Sequence, residues 1–294
     1  MKVFVIGIGL IGGSFTLDLK SVMENVEVYG IDENEEHLAK ALELGLIDKK
    51  AQFEELIKAD LVYMAIPVDT SLNVLPRVLD IVKEDCMVID AGSTKEEICK
   101  IVAEHPKRRN YLSAHPIAGT EFSGPTAAVR GLFKNKTNII CEVEKTAFKL
   151  QERALEIFKA IGMRIRYMDP SSHDRHIAYV SHLSHISSFM LGKTVLEKEK
   201  NERDIFDLAG SGFASTVRLA KSSPAMWTPI FRQNKKNVME TLDEYILNLK
   251  HFRKLIDEDN FEEIFSEMER TNHIREVLNG INKNEEFKIV ENGK

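Results

Sequence analysis

A short apolar run rich in β-branched residues, Lys2-Val-Phe-Val-Ile6, passes directly into Gly7-Ile-Gly9-Leu10-Ile11-Gly12-Gly13-Ser14 and then into a helical stretch from Phe15 to about Met23. The run has the pattern of a strand buried in a parallel sheet. A lone G-x-G-x-x-G is weak evidence, but between a strand and a helix each glycine has a task. Gly7 permits the tight turn, Gly9 lets backbone approach a pyrophosphate, and Gly12 lets helix pack on strand. The helix start adds amide donors and partial positive charge for phosphates. The stretch predicts a dinucleotide-binding loop, with Gly7, Gly9, Leu10, Ile11 and Gly12 as its cofactor contacts.

The next strand, Glu27–Ile31, ends at Asp32, about 20 residues past the glycines, as that fingerprint requires. A carboxylate there would hydrogen-bond ribose hydroxyls and repel a 2′-phosphate. No Arg or Lys follows at once, and Glu33-Asn34-Glu35-Glu36 adds negative charge, which favours NAD over NADP. Asp32 also suits the N-cap of a helix beginning near Glu33.

Strand, loop and helix continue to alternate. Leu61–Ala65 leads to Ile66-Pro67-Val68-Asp69 and a helix through Ile81; Cys86–Asp90 leads to Ala91-Gly92-Ser93-Thr94-Lys95 and a helix from near Glu96. The order predicts a parallel doubly wound sheet that binds ligands at the carboxyl ends of its strands. Ile66 and Pro67 are therefore expected beside the cofactor. Ser93 suits either a helix N-cap or a ligand contact. Lys95 suits either a solvated first turn or a substrate carboxylate.

His115 closes the extended run Tyr111-Leu-Ser-Ala114, and Pro116 keeps it extended before a turn at Gly119. A histidine at a strand's carboxyl end in such a sheet is a candidate for chemistry on a bound cofactor. Thr137–Cys141, a helix from Thr146 to Ile161, and Arg164–Met168 complete the α/β part, with Asp169-Pro170 as its boundary. Residues 1–170 thus form a dinucleotide-binding (Rossmann-like) domain, and 171–294 an all-helical domain for substrate binding and dimerisation.

In the second half His182 and His185 share a helical face. No carboxylate or cysteine cluster accompanies them, so they read as core or pocket histidines and no metal site is expected. A glycine-punctuated loop around Gly210-Ser-Gly212 feeds a short helix carrying Arg218, the natural bidentate partner of a carboxylate. Ser222-Ser-Pro224 opens a helix to about Leu255, and another runs from Asp259 to about Asn279 before a polar tail ending at Lys294. So much helix for one small core points to a homodimer.

A formal net charge of −6 argues against nucleic acid or an anionic membrane as the main partner. The apolar start is one strand long, neither a signal peptide nor a membrane span. Cys86, Cys99 and Cys141 lie far apart and read as reduced, buried thiols of a cytoplasmic protein.

Five motifs in order resemble the prephenate dehydrogenase family, including its arogenate-using relatives. They are Gly7-Ile-Gly-Leu-Ile-Gly-Gly-Ser14, Asp90-Ala-Gly-Ser-Thr-Lys95, His115-Pro-Ile-Ala-Gly-Thr-Glu121, Ser181-His-Leu-Ser-His185, and Gly210-Ser-Gly-Phe213 with Arg218-Leu-Ala and Pro224-Ala-Met-Trp227. The resemblance implies NAD-dependent oxidative decarboxylation of prephenate to 4-hydroxyphenylpyruvate, on the route to tyrosine. It also implies roles: His115 as the base, Ser93 hydrogen-bonding the substrate hydroxyl and the histidine, Arg218 pairing with a substrate carboxylate, His185 in the substrate pocket, and Thr120 and Glu121 near the substrate. Ala214 and Ser215 stand where many relatives carry a basic and an acidic residue. Neither a chorismate mutase before Met1 nor a regulatory domain after the helices is expected, so any feedback by tyrosine would have to act at the active site. The rival readings are an arogenate dehydrogenase, a hydroxyacid or phosphogluconate type with a lysine base, and a non-catalytic NAD-binding sensor.

Overall fold

The computed structural model describes residues 1–200 and 204–280; the polar tail expected to end at Lys294 lies outside them. Two compact units emerge, Met1–Val238 and Met239–Lys294.

The first unit is built on one eight-stranded sheet. Its strands are β1 (Lys2–Ile6), β2 (Glu27–Ile31), β3 (Lys49–Lys50), β4 (Leu61–Met64), β5 (Met87–Asp90), β6 (Tyr111–Pro116), β7 (Thr137–Cys141) and β8 (Arg164–Met168), in the order β3-β2-β1-β4-β5-β6-β7-β8. Helices α1 (Leu10–Val22), α2 (Glu35–Glu43), α3 (Val68–Ile81), α4 (Glu96–Ile101) and α5 (Phe148–Ile161) connect them. Alternate residues of β1 explain its unbroken apolar run. Val3 and Val5 join the core with Phe15, Leu19 and Phe158, whereas Phe4 and Ile6 join the opposite core with Leu75 and Leu79. Both faces are covered, so both sets must be apolar.

The expected parallel sheet needs one correction. β7 runs antiparallel to β6, with His115 paired to Ile139, and β8 then follows β7 in parallel. Between β6 and β7 the chain forms only a single 3₁₀ turn, Pro125–Ala127, so it reverses where a crossover helix would have kept direction. That connection is pinned to α1, where Ser14 Oγ accepts from Val129 N at 2.9 Å and Asp18 Oδ1 accepts from Gly131 N.

After β8 the chain is helical. Asp169 caps α6 (Pro170–Ile177), accepting from Ser172 N at 2.9 Å. A π-helical turn, Ala178–His182, precedes α7 (Leu183–Glu199), and α8 (Ser211–Thr216) and a 3₁₀ turn, Arg218–Lys221, follow. The helix expected from Pro224 to about Leu255 is two: α9 (Pro224–Gln233) and α10 (Lys235–Asp257). They part at Asn234, which leaves helical angles (φ −97°, ψ 25°) while its amide bonds elsewhere in the core. α10 continues into the second unit, where α11 (Phe261–Thr271), capped by Asn260, is shorter than expected and breaks at Asn272. His251 Nε2 lies 2.9 Å from Glu267 within this unit. Among the described residues no helix is long and apolar enough to cross a membrane.

Candidate active site

The sheet's order reverses at β1, whose neighbours are β2 on one side and β4 on the other, and the Gly7–Gly12 turn leaves β1 at this switch point. Gly7 has φ +89°, and a Cβ there would lie 2.5 Å from the carbonyl oxygen of Ala65. A Cβ on Gly12 would fall 2.0 Å from the carbonyl of Gly7, so close packing of helix on strand demands glycine. At Gly9 such a Cβ would come no nearer than 3.9 Å to its neighbour, Gly124 N, so the protein leaves space there. Tight at Gly7 and Gly12 and open at Gly9, the turn fits a pyrophosphate approaching the start of α1. Leu10 begins α1 and is buried, and Ile11 is half-buried.

Asp32 follows β2 and accepts from Ile8 N at 2.9 Å and from Asn34 N at 3.0 Å. Its carboxylate thereby ties the end of β2 to the glycine turn. It does not cap the next helix; Asn34 does, accepting from Glu36 N and His37 N. Ile66 and Pro67 follow β4, half-buried and exposed respectively.

His115 sits near the carboxyl end of β6, 8% exposed. Its Nδ1 lies 2.8 Å from Nε2 of His173 on α6, and His173 Nδ1 lies 2.8 Å from Asp174 Oδ1. Burial, then the neighbouring His173, hold the His115 imidazole well below the usual histidine range. It is neutral at pH 7, as a proton acceptor must be. Asp174 also accepts from the backbone amides of Lys95, 2.8 Å, and Glu96, 2.9 Å. It supplies from α6 the cap that α4 lacks locally.

Two expectations for the β5–α4 loop change accordingly. Ser93 is half-buried and does not cap α4, because Asp174 takes those amides. The hydrogen bond of His115 goes to His173, not to Ser93. Lys95 is 0% exposed, neither solvated nor turned toward a ligand. Its ammonium pairs with the carboxylate of Asp90 and donates to Ala114 O at 2.7 Å. Asp90 accepts in addition from Tyr111 Oη at 2.6 Å and Gly92 N at 3.0 Å, so the buried pair is well provided with hydrogen bonds.

On the exposed side, Arg218 Nη1 meets Glu121 Oε2 at 3.3 Å, and the Arg218 charge acts on His185. His185 donates from Nδ1 to Ser181 O at 2.9 Å and stacks on Trp227 with ring centroids 3.5 Å apart. Burial lowers its pKa, with Arg218 acting in the same direction. His182, the last residue of the π-helical turn, is buried and accepts from Asn234 at 3.2 Å, and burial pushes its pKa down to about 4. Thr120 is exposed and accepts from Phe122 N at 3.3 Å; Ala214 and Ser215 are exposed on α8. Thus Arg218, Glu121 and His185 gather, while Lys95 withdraws into the fold. Among the described residues no three His, Cys, Asp or Glu side chains are grouped to hold a metal.

Sequence reading left His173, Asp174 and Asn234 without roles. The adjacent His-Asp pair was the available signal, but only the fold brings it to His115, 58 positions away.

Residues 15–167 match a family model described as the nucleotide-binding domain of prephenate dehydrogenase, and 169–270 match its dimerization domain. The prephenate dehydrogenase of Bacillus subtilis is 29% identical over 280 residues, 94% of this chain and 76% of that protein. The cyclohexadienyl dehydrogenase of Zymomonas mobilis is 30% identical over 272 residues, 90% of this chain and 93% of that protein. Among solved structures, the Aquifex aeolicus prephenate dehydrogenase in complex with hydroxyphenyl propionate and NAD+ superposes with TM-score 0.86 at 31% identity, covering 95% of this chain and 98% of that one. Synechocystis arogenate dehydrogenase gives 0.73 at 25%, covering 94% and 99%.

Proposed function

The chain belongs to the prephenate dehydrogenase family, and we propose that it carries out the NAD-dependent oxidative decarboxylation of prephenate to 4-hydroxyphenylpyruvate in tyrosine biosynthesis. The observation that carries this reading is a neutral, buried His115 at a strand end of a dinucleotide-binding sheet. Residues 1–170 would hold the cofactor and 171–294 the substrate and the dimer contacts. The Gly7–Gly12 turn would take the pyrophosphate, Asp32 the ribose hydroxyls, with Ile66 and Pro67 beside them. NAD, when bound, supplies the hydride acceptor.

His115 accepts the proton of the ring hydroxyl at C4. As C4 gives up its hydrogen as hydride and that oxygen becomes carbonyl-like, the bond from C1 to its carboxylate breaks, carbon dioxide leaves, and the bonding electrons aromatise the ring. Ser93 contacts the same hydroxyl. Arg218, half-exposed and in a solvent-open contact with Glu121, pairs with a substrate carboxylate. His185, with Nδ1 committed to Ser181, offers Nε2 to the pocket. Thr120 and Glu121 line its rim. Lys95, by contrast, supports the site from within.

Arogenate differs from prephenate by an amino group on the side chain, and Ala214 and Ser215 leave that end of the pocket without the charged pair of many relatives. Adding each compound with NAD and following NADH formation tests the reading. Turnover of prephenate supports it, preference for arogenate selects the second substrate, and silence with both leaves a cofactor-binding sensor.

We assign the protein to the cytoplasm, consistent with three buried free thiols. A homodimer is supported by exposed apolar side chains along α10 and α11, among them Leu247, Leu249, Phe261 and Phe265. Light scattering of the purified protein measures the assembly directly.

A further inference from the structure

His115, His173 and Asp174 form a buried line of side chains, at 8%, 1% and 3% exposure. Both links are 2.8 Å, from His115 Nδ1 to His173 Nε2 and from His173 Nδ1 to Asp174 Oδ1. A carboxylate oxygen only accepts, so His173 Nδ1 must carry a hydrogen. In the neutral imidazole, a hydrogen on Nδ1 leaves the lone pair on Nε2. The contact with His115 can then be filled in one way, by a hydrogen on His115 Nδ1. The remaining nitrogen of His115, Nε2, is left as an acceptor.

We propose that His173 and Asp174 are positioning residues that hold His115 in the Nδ1–H form, so that Nε2 is the atom that accepts the substrate proton. The proposal rests on the reading of His115 as the base. The same carboxylate fixes a second part of the site, because Asp174 takes the amides of Lys95 and Glu96 at the start of α4 and so sets the loop carrying Ser93. Asn234 in turn donates from Nδ2 to the backbone oxygen of Asp174 at 2.6 Å and to His182 Nδ1. One acidic residue of the helical segment thus governs the hydrogen of the base and the seat of its neighbouring serine. When His115 takes a proton it becomes an imidazolium, with Nδ1–H still donated to His173. The carboxylate one ring away stabilises that charge without itself being protonated.

The test is nitrogen NMR of the protein with ¹⁵N-labelled histidine at neutral pH, with the His115 signal identified by its loss in His115→Asn. The expected result for the unsubstituted protein is a hydrogen on His115 Nδ1 and none on Nε2. His173→Gln keeps an acceptor toward His115 and a donor toward Asp174, so it should keep this tautomer and most of the turnover. His173→Leu should move His115 toward the Nε2–H form and lower kcat by a factor on the order of 10², with KM little changed. An Nε2–H tautomer in the unsubstituted protein overturns the proposal without requiring any variant to fold. So does a His173→Leu protein with the original tautomer and turnover. The base reading fails separately, if His115→Asn turns prephenate over like the unsubstituted enzyme.

Discussion

Arg218 Nη1 and Glu121 Oε2, 97 positions apart in the chain, meet at 3.3 Å, with the arginine side chain 52% exposed and the glutamate 19%. A pair so open to water contributes about 0–1 kcal/mol, so a substrate carboxylate can compete for the guanidinium. Arg218→Ala should therefore leave thermal stability nearly unchanged and raise KM for prephenate by about tenfold or more. A variant with normal KM and reduced kcat would remove Arg218 from carboxylate binding.

Lys95 belongs to the opposite case. Its ammonium and the Asp90 carboxylate are 0% and 1% exposed, so removing the lysine strands a buried charge. Lys95→Met should lower stability by about 3–5 kcal/mol, visible as a large drop in Tm. Were Lys95 a substrate ligand, KM would rise while Tm held.

The glycine turn separates two roles by residue. In Gly12→Ala a new Cβ would collide with the carbonyl of Gly7, whereas in Gly9→Ala it meets nothing closer than 3.9 Å. The first should fold poorly. The second should fold with normal Tm and bind NAD more weakly by calorimetry, because the methyl group occupies the space left for the pyrophosphate. Unaltered NAD affinity in Gly9→Ala would exclude the turn from cofactor binding.

These cases also mark what the sequence made legible. The strands could be read because both faces of β1, β4 and β5 are buried, which forces continuous apolar runs. The glycine turn could be read because its spacing is set by local sterics. The reversal of β7 could not, since the residue period of a strand is the same in either direction. Nor could the fate of Lys95, because lysine is ordinarily exposed and its burial depends on Asp90 lying in reach beneath the loop. His115 stood out by position, whereas its partner His173 lies beyond the boundary expected at Asp169-Pro170 and was brought to it only by folding.

Burial also gives the protein a definite acid response. His182 has an ordinary value of 6.5 and is pushed down to about 4, and His115 is lowered as well. The unfolded chain therefore binds more protons than the folded one between those values, so stability rises with pH across that window. It is complete above pH 6.5 and is lost as pH falls toward the folded pKa values, with His182 alone contributing roughly 3 kcal/mol. Thermal unfolding between pH 7 and 4 should show this slope. His182→Gln should flatten it; an unchanged slope would mean that the buried histidines do not govern acid stability.

The central claim is that His115 is the base, and the most direct measurement is kcat of His115→Asn with prephenate and NAD beside the unsubstituted enzyme. Asparagine keeps a polar group of similar reach but cannot accept the proton at neutral pH. The account predicts a fall in kcat of about 10²-fold or more, with NAD affinity and KM for prephenate largely retained. A kcat equal to that of the unsubstituted enzyme would contradict it.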